Sequence, residues 1–394
     1  MFFVSQNDLS DSLVKLLGIQ YKIYRLHTDD ITRHIDELFF IPQEFRQHIW
    51  ANVSAGKLSD KASGNAYKTF QAGYDYAWAY DGLRWFVGGL ADYTYGNLTA
   101  DLYAGKVHSV GLGAYFQGNY YYQKNFGLSI DAYAKYAFNH YNTDGRADLD
   151  YNTFTNNYHL MFFNLRAGFK APISYDNSWF LEPGMRVSWA YINRADYVYK
   201  TTAPQLNPDT GDIRFRDIDI HLQQEAGKIF GNQFFLNVGK IYQNDSIYFD
   251  VRTGLSFAYD SSTGGDMQFV QDGYEDHPIK ATTPRDYRLG VAFASNLAIK
   301  ENLKFYLDFK RTFFSHVDTS YLVTFGFRLE IGRLFKRPAP PLMPAPIKRQ
   351  KRPLNRYNVG DGVVKNDWVR VRSRSVAPKE VENQNFRPKM RTKP

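Results

Sequence analysis

Asp144, Asp148 and Asp150 are the acidic cluster in this chain whose composition could hold a hard cation. Carboxylate oxygens suit Ca²⁺, which takes six to eight such ligands. Their spacing matches no standard binding loop, and a solvated turn is the reading we favour. His140 and His159 flank the same segment, with Asp144 between them. An imidazole beside a carboxylate is general acid–base equipment, but histidines at a loop edge are more often simply hydrated. The nine histidines never recur at one-turn helical spacing, the usual sign of a metal site. No nucleophile elbow or glycine-rich phosphate loop stands out. We therefore assign no catalytic, cofactor-binding or metal residues, expect no cofactor, and read the chain as not an enzyme.

The elements that would position these groups are strands. Twelve stretches between Trp50 and Ile331 read as strands, and the last is the clearest. Tyr321, Val323, Phe325, Phe327, Leu329 and Ile331 alternate with Leu322, Thr324, Gly326, Arg328, Glu330 and Gly332. Successive side chains of a strand point to opposite faces, so one face is apolar and the other mostly small or charged. The same split runs through Leu128 to Asn139, Ile247 to Phe257 and Leu303 to Phe309. On the polar face, Arg328/Glu330 and Glu182/Arg186 read as structural ion pairs.

The gaps between strands are sorted by side. One side has terse turns at Tyr80 to Gly82, Tyr121 to Asn125, Ser174 to Asn177, Asn244-Asp245 and Lys300-Glu301. The other has Leu58 to Asn65, Gly96 to Gly105, Tyr141 to Asn157, Asn193 to Gly231, Asp260 to Pro284 and a short His316 to Asp318. Tight turns at one end and long loops at the other are what an outer-membrane barrel needs. A soluble sandwich shares the alternation but has no reason to sort its loops. Backbone polar groups in lipid must be satisfied internally, so a sheet spans only when closed. Most segments read as 12 to 15 residues, more than the roughly 9–11 that spanning takes. Rings near strand ends (Trp50, Trp78, Trp85, Trp179, Trp189, Tyr93, Tyr95, Tyr120 to Tyr122 and Tyr191) suit interfacial girdles. The expected architecture is an all-β, twelve-stranded antiparallel transmembrane β-barrel.

Composition agrees. No run of eighteen apolar residues is present, so no transmembrane helix is expected. Cysteine is absent, which removes any disulfide framework. The net charge of +8 is uneven: residues 332–394 carry 17 Lys and Arg against 4 Asp and Glu, leaving the rest acidic. Met1 to Asp8 have neither a basic region nor an apolar core, so they are no signal peptide. A barrel needs export, and the chain is expected to be the C-terminal piece of something longer, or to have a misassigned start.

Before the strands, Asp8 to Phe40 read as helical, with Leu9, Leu13, Leu16 and Leu17 at helix spacing and Gly18 weakening one unbroken rod. Thr28 reads as the N-cap of a second start, followed by Asp29 and Asp30. Asp29/Arg33 and Arg33/Glu37 are spaced for i,i+4 pairing, and Pro42 ends the helix. Twenty such residues measure about 30 Å. So charged a helix cannot face lipid; it either threads a polar lumen or packs outside as a stub.

After the strands, Arg337 to Pro346 is Pro-rich and expected extended. The basic run Lys348 to Arg352 and the sparse residues beyond it read as disordered. That gives a helical segment at 1–47, a barrel at 48–335 and a basic, periplasmic tail at 336–394. The tail's charge would suit weak contact with peptidoglycan or lipid head groups. Nucleic acid fits the charge but not the compartment.

Several phrases then point to one family. Ile49-Trp50-Ala51-Asn52-Val53 follows a polar helix, and Gly73-Tyr74-Asp75 comes next. Arg84 to Gly89, Ser109 to Tyr115, Trp179-Phe180-Leu181-Glu182-Pro183 and the closing Phe325 to Ile331 continue the order. Together they resemble the C-terminal translocator of autotransporters (type V secretion), the group that includes pertactin and the vacuolating cytotoxin. The resemblance implies an N-terminal helix inside the pore and residence in the bacterial outer membrane. It also implies an upstream passenger, absent from this chain, carried to the surface with the help of the barrel-assembly machinery. It carries over no catalytic residues. In place of the family's closing aromatic stands Ile331, with Phe335 four residues on and further chain beyond. A porin, an adhesin or an omptin-like barrel enzyme is the alternative.

Overall fold

The computed structural model describes residues 18–30, 32–40, 45–60, 63–80, 82–100, 103–123, 126–145, 153–206, 213–244, 247–269, 285–299 and 302–333. The chain divides into two units, Met1–Pro338 and Ala339–Pro394, and the described residues all belong to the first. The tail expected at 336–394, the leucines at 9–17, and Asp148 and Asp150 lie outside the described residues.

Two helices, α1 (Ile19–Asp30) and α2 (Thr32–Phe40), come first. Fifteen described strands follow: β1 (Phe45–Ser59), β2 (Ser63–Tyr80), β3 (Leu83–Ala100), β4 (Tyr103–Gln123), β5 (Phe126–Gly145), β6 (Thr153–Pro172) and β7 (Trp179–Ile192). The remainder are β8 (Ala195–Leu206), β9 (Ile213–Gln224), β10 (Gly227–Gln243), β11 (Ile247–Gly264), β12 (Met267–Phe269), β13 (Arg285–Ile299), β14 (Leu303–Phe313) and β15 (Asp318–Arg333). Twelve of them close one barrel in the order β1-β15-β14-β13-β11-β10-β7-β6-β5-β4-β3-β2. The other three, β8, β9 and β12, pair into a separate small sheet. Neither helix is long and apolar enough to cross a membrane.

Closure is made by β1 against β15, antiparallel from Phe45↔Arg333 to Ser59↔Asp318, with one bulge at Lys57/Leu58. Their outward residues include Ile49 and Val53 opposite Leu329 and Phe325. The wall is inside out relative to a soluble protein. Phe325 is 53% exposed while Arg328 is 0% exposed. Every barrel strand pairs on both sides, leaving no sheet edge in lipid. The ladder between β6 and β7 skips from Gly168↔Gly184 to Ala171↔Leu181. Pro183 lies in that gap, and proline has no N–H to donate.

The short turns fall where expected, but strands run through most of two stretches expected as long loops, Leu58 to Asn65 and Gly96 to Gly105. β1 runs to Ser59 and β2 begins at Ser63, while β3 runs to Ala100 and β4 begins at Tyr103. The barrel strands run from 11 to 21 residues, longer than the sequence suggested. Polar residues such as Lys57, Asn97 and Lys106 made these stretches look like loops; they continue the ladders beyond the apolar band. Water tolerates polar side chains on a paired strand, so polarity alone does not end one.

Candidate translocation pore

The lumen is occupied by the two helices. Residues 19–28 of α1 are all buried, although α1 holds Lys22, Arg25 and His27. Gly18 accepts the first helical bond, from the Lys22 N–H at 3.0 Å. Thr28 is no N-cap: it sits inside α1 and its hydroxyl donates back to the Tyr24 carbonyl. Such i−4 back-bonding bends helices, and α1 ends two residues later, at Asp30. Of the expected i,i+4 pairs, the Asp29 and Arg33 side chains lie outside the described residues. Glu37 meets the wall instead.

Contacts run from one mouth to the other. At the long-loop end, Gln20 Nε2 donates to the Glu225 carbonyl at 3.1 Å, and Lys22 Nζ lies 2.7 Å from Asp60. Tyr21 donates to Asp260 at 2.7 Å and lies 2.6 Å from Asp286, while the Tyr24 hydroxyl meets Ser188 at 2.8 Å. Also toward that end, Arg25 Nη2 donates to Thr319 at 3.0 Å. Lys135 Nζ donates to His27 Nδ1 at 2.9 Å, so His27 Nε2 carries the proton and donates to Asn139 Oδ1 at 3.0 Å. Lys135 is itself paired with Asp92.

The short-turn half is centred on Asp75. The Tyr115 hydroxyl donates to it at 2.9 Å, His34 Nε2 from α2 at 3.0 Å, and His48 Nδ1 bonds its other oxygen. The His34 ring stacks on Trp50, centroids 4.0 Å apart, and Trp50 Nε1 donates to the Tyr115 hydroxyl at 3.1 Å. Trp50 is thus a lumen residue, not part of a girdle; it is in phase with His48 and Asn52, both buried. Nearby, Arg328 bridges Glu37 of α2 at 3.6 Å and Glu330 at 3.0 Å, and Lys304 closes on Glu330. Gln117 Nε2 donates to the Ile35 carbonyl at 3.1 Å.

The expected Arg328/Glu330 pair is formed. Glu182/Arg186 is not the observed pairing: Glu182 accepts from Arg166 at 3.1 Å and Asn237 at 2.8 Å, while Arg186 donates to Gln233 at 3.1 Å. Four residues along a strand span about 13 Å, whereas neighbours across the ladder are about 5 Å apart. Asp36 of α2 also pairs with Arg166. Beside α2 remains a polar cavity of about 90 Å³, lined by Asp36, Arg166, Arg186, Asn237 and Arg252 among others. Such a space suits a few waters rather than an open channel.

His140 and His159 do not flank a cleft. Both face outward on the wall, His140 Nδ1 2.8 Å from Asn157 Oδ1 and His159 bonded to the Tyr136 hydroxyl. Asp144 is the penultimate residue of β5, and its side chain lies outside the described residues. No metal-binding group of three or more His, Asp or Glu forms among the described residues.

A family model described as "Autotransporter beta-domain" matches residues 49–210. Over those residues the barrel is similar to an autotransporter β-domain. Its fold matches the β-domain of the Bordetella autotransporter BrkA with TM-score 0.56 at 15% identity, covering 73% of this chain and all of that one. The translocator domain of NalP from Neisseria meningitidis matches with TM-score 0.55 at 8% identity, covering 80% and 99%. Among sequences, "Serine protease EspP" of Escherichia coli O157:H7 is 24% identical over 333 residues, 82% of this chain and 23% of that protein. "Serine protease EatA" of Escherichia coli O78:H11 is 25% identical over 283 residues, 71% and 19%. The chain thus spans under a quarter of the length of these relatives. The barrel belongs to the bacterial outer membrane, its apolar outer wall facing lipid.

Proposed function

We propose that this β-domain supports passage of an N-terminal passenger through the outer membrane, and that α1 and α2 are the segment left in the lumen once passage ends. One observation carries the reading: the helix sits inside a closed barrel with its N-terminal end, at Gln20, by the long-loop mouth. A chain preceding it would leave on the external side. The wall's contribution is a corridor rather than a reaction, and the serine protease in the relatives' names is said of those proteins alone. A porin would need an open aqueous lumen, which the lumen-filling helices argue against.

Fusing a signal peptide and an epitope-tagged reporter before Met1 tests it. The tag should be accessible to antibody on intact cells. A folded barrel with the tag retained inside would overturn the reading. Insertion is expected to depend on the barrel-assembly machinery, checked by depleting that machinery and assaying the folded band. The basic residues 348–352 are proposed to contact peptidoglycan or lipid head groups; unchanged cell-wall association after their deletion would dispose of that.

A further inference from the structure

The outward face of β2 to β6 changes character above its apolar band. On β4 that band runs from Val110 to Tyr120, about 26 Å at ~3.4 Å per residue and a ~40° tilt. The next outward positions toward the long-loop mouth are His108 and Lys106. His108 lies directly opposite His140 on β5, and His140 opposite Asn157 on β6. His159 is one rung nearer the bilayer, opposite Phe138. Lys68 joins the same row through Tyr95. Among the described side chains facing outward from β2 to β6, none is a carboxylate.

The imidazoles are held in place. The Tyr93 hydroxyl is 2.8 Å from His108 Nδ1, and the Tyr136 hydroxyl bonds His159 Nδ1. A phenol O–H is a good donor to the lone pair of a neutral ring nitrogen. Each ring is thereby fixed with its proton on Nε2, a donor with no protein partner among the described residues. His140 uses Nδ1–H on Asn157 Oδ1 at 2.8 Å.

We propose that this surface binds the phosphate groups of an outer-leaflet glycolipid. Nε2–H donors and two lysine ammoniums meet at the level of the head groups, and phosphate accepts such charge-assisted bonds well. The apolar surface directly beneath, Val110, Leu112, Phe138 and Met161, is exposed and in position to receive acyl chains. A soluble phosphate would use only the upper half of the site; a lipid uses both.

The test uses the full chain, folded in detergent micelles, with bound lipid counted by native mass spectrometry. Bis-phosphorylated lipid A should bind, and its dephosphorylated form should bind on the order of tenfold more weakly. H108A/H140A/H159A should cause a similar fall, while Arg311→Ala, a rim cation outside the patch, should not. If the triple variant fails to fold, Y93F/Y136F releases the rings while keeping the wall intact, and should weaken binding several-fold. Equal binding of phosphorylated and dephosphorylated lipid, or unchanged binding in folded variants, overturns the proposal. Displacement of the lipid by millimolar inorganic phosphate would mark a free-anion site and also overturns it.

Discussion

Asp75 takes donors from three separate parts of the chain: His34 on the pore helix, His48 on the first strand and Tyr115 across the lumen. A carboxylate buried among donors stabilises only while every partner stays. Asp75→Ala should therefore cost about 3 kcal/mol, because it leaves two imidazoles and a phenol unsatisfied. Asp75→Asn, which keeps one acceptor oxygen, should cost less. Urea unfolding in detergent measures both; equal losses would show that packing, not hydrogen bonding, is what Asp75 supplies. Gly326 makes a different demand. A Cβ there would fall inside the Tyr306 ring, whose hydroxyl receives Asn52 Nδ2 at 3.3 Å. Gly326→Val should push that ring into the pore helix's space and lower the yield of heat-modifiable folded band, while Gly326→Val with Tyr306→Ala restores part of it.

Turns show how local chemistry sets an element's ends. Between β6 and β7, Asp176 accepts from the Ser174 hydroxyl at 2.6 Å and the Ser178 N–H at 3.2 Å, and Asn177 takes the left-handed conformation at φ 55°. These bonds hold the Asp176 carboxyl down to about 2. A depressed carboxyl stabilises the fold above its unfolded pKa of about 4, and the contribution fades as pH falls toward about 2. Asp176→Asn should flatten the pH dependence of this turn's amide exchange in that window; an unchanged profile would remove the carboxylate from the account. Such turns were legible in the sequence because Ser, Asp and Asn cluster there, as were the strand faces, which follow a period of two. Loop lengths at the outer end were not. Lys57, Asn97 and Lys106 are polar, and a strand emerging into water carries the same residues as a loop. Thr28 was misread for a related reason: a hydroxyl that caps one helix can equally back-bond within another. The lumen contacts were illegible because Glu37–Arg328 joins residues nearly three hundred apart in sequence, and no periodicity reports such a pair.

At the scale of the whole molecule, the barrel and its plug are separable in principle. Closure depends on β1 and β15, paired through both lumen-facing and lipid-facing residues. The helices touch lumen-facing residues of both strands, Trp50 on β1 and Thr319 and Arg328 on β15, but the backbone ladder of the seam is made by the strands alone. V53C and F325C, introduced at directly opposed positions, should cross-link on oxidation whether or not the helix is present. Deleting residues 18–40 then isolates what the helix does. The wall it leaves behind carries Asp75, Lys135, Asp260, Arg288 and Arg328, charged groups that would be hydrated once the helical partners are gone. A hydrated bore of that kind conducts, whereas the lumen of the intact chain holds small polar cavities such as the one beside α2. Single-channel recording in planar bilayers should therefore show conductance rising by about tenfold or more on deletion, since water and ions regain the space of a helix about 10 Å across. The cross-link reports that the deleted form is still closed, so a low conductance in a cross-linked barrel would mean that the helix is not what blocks the pore.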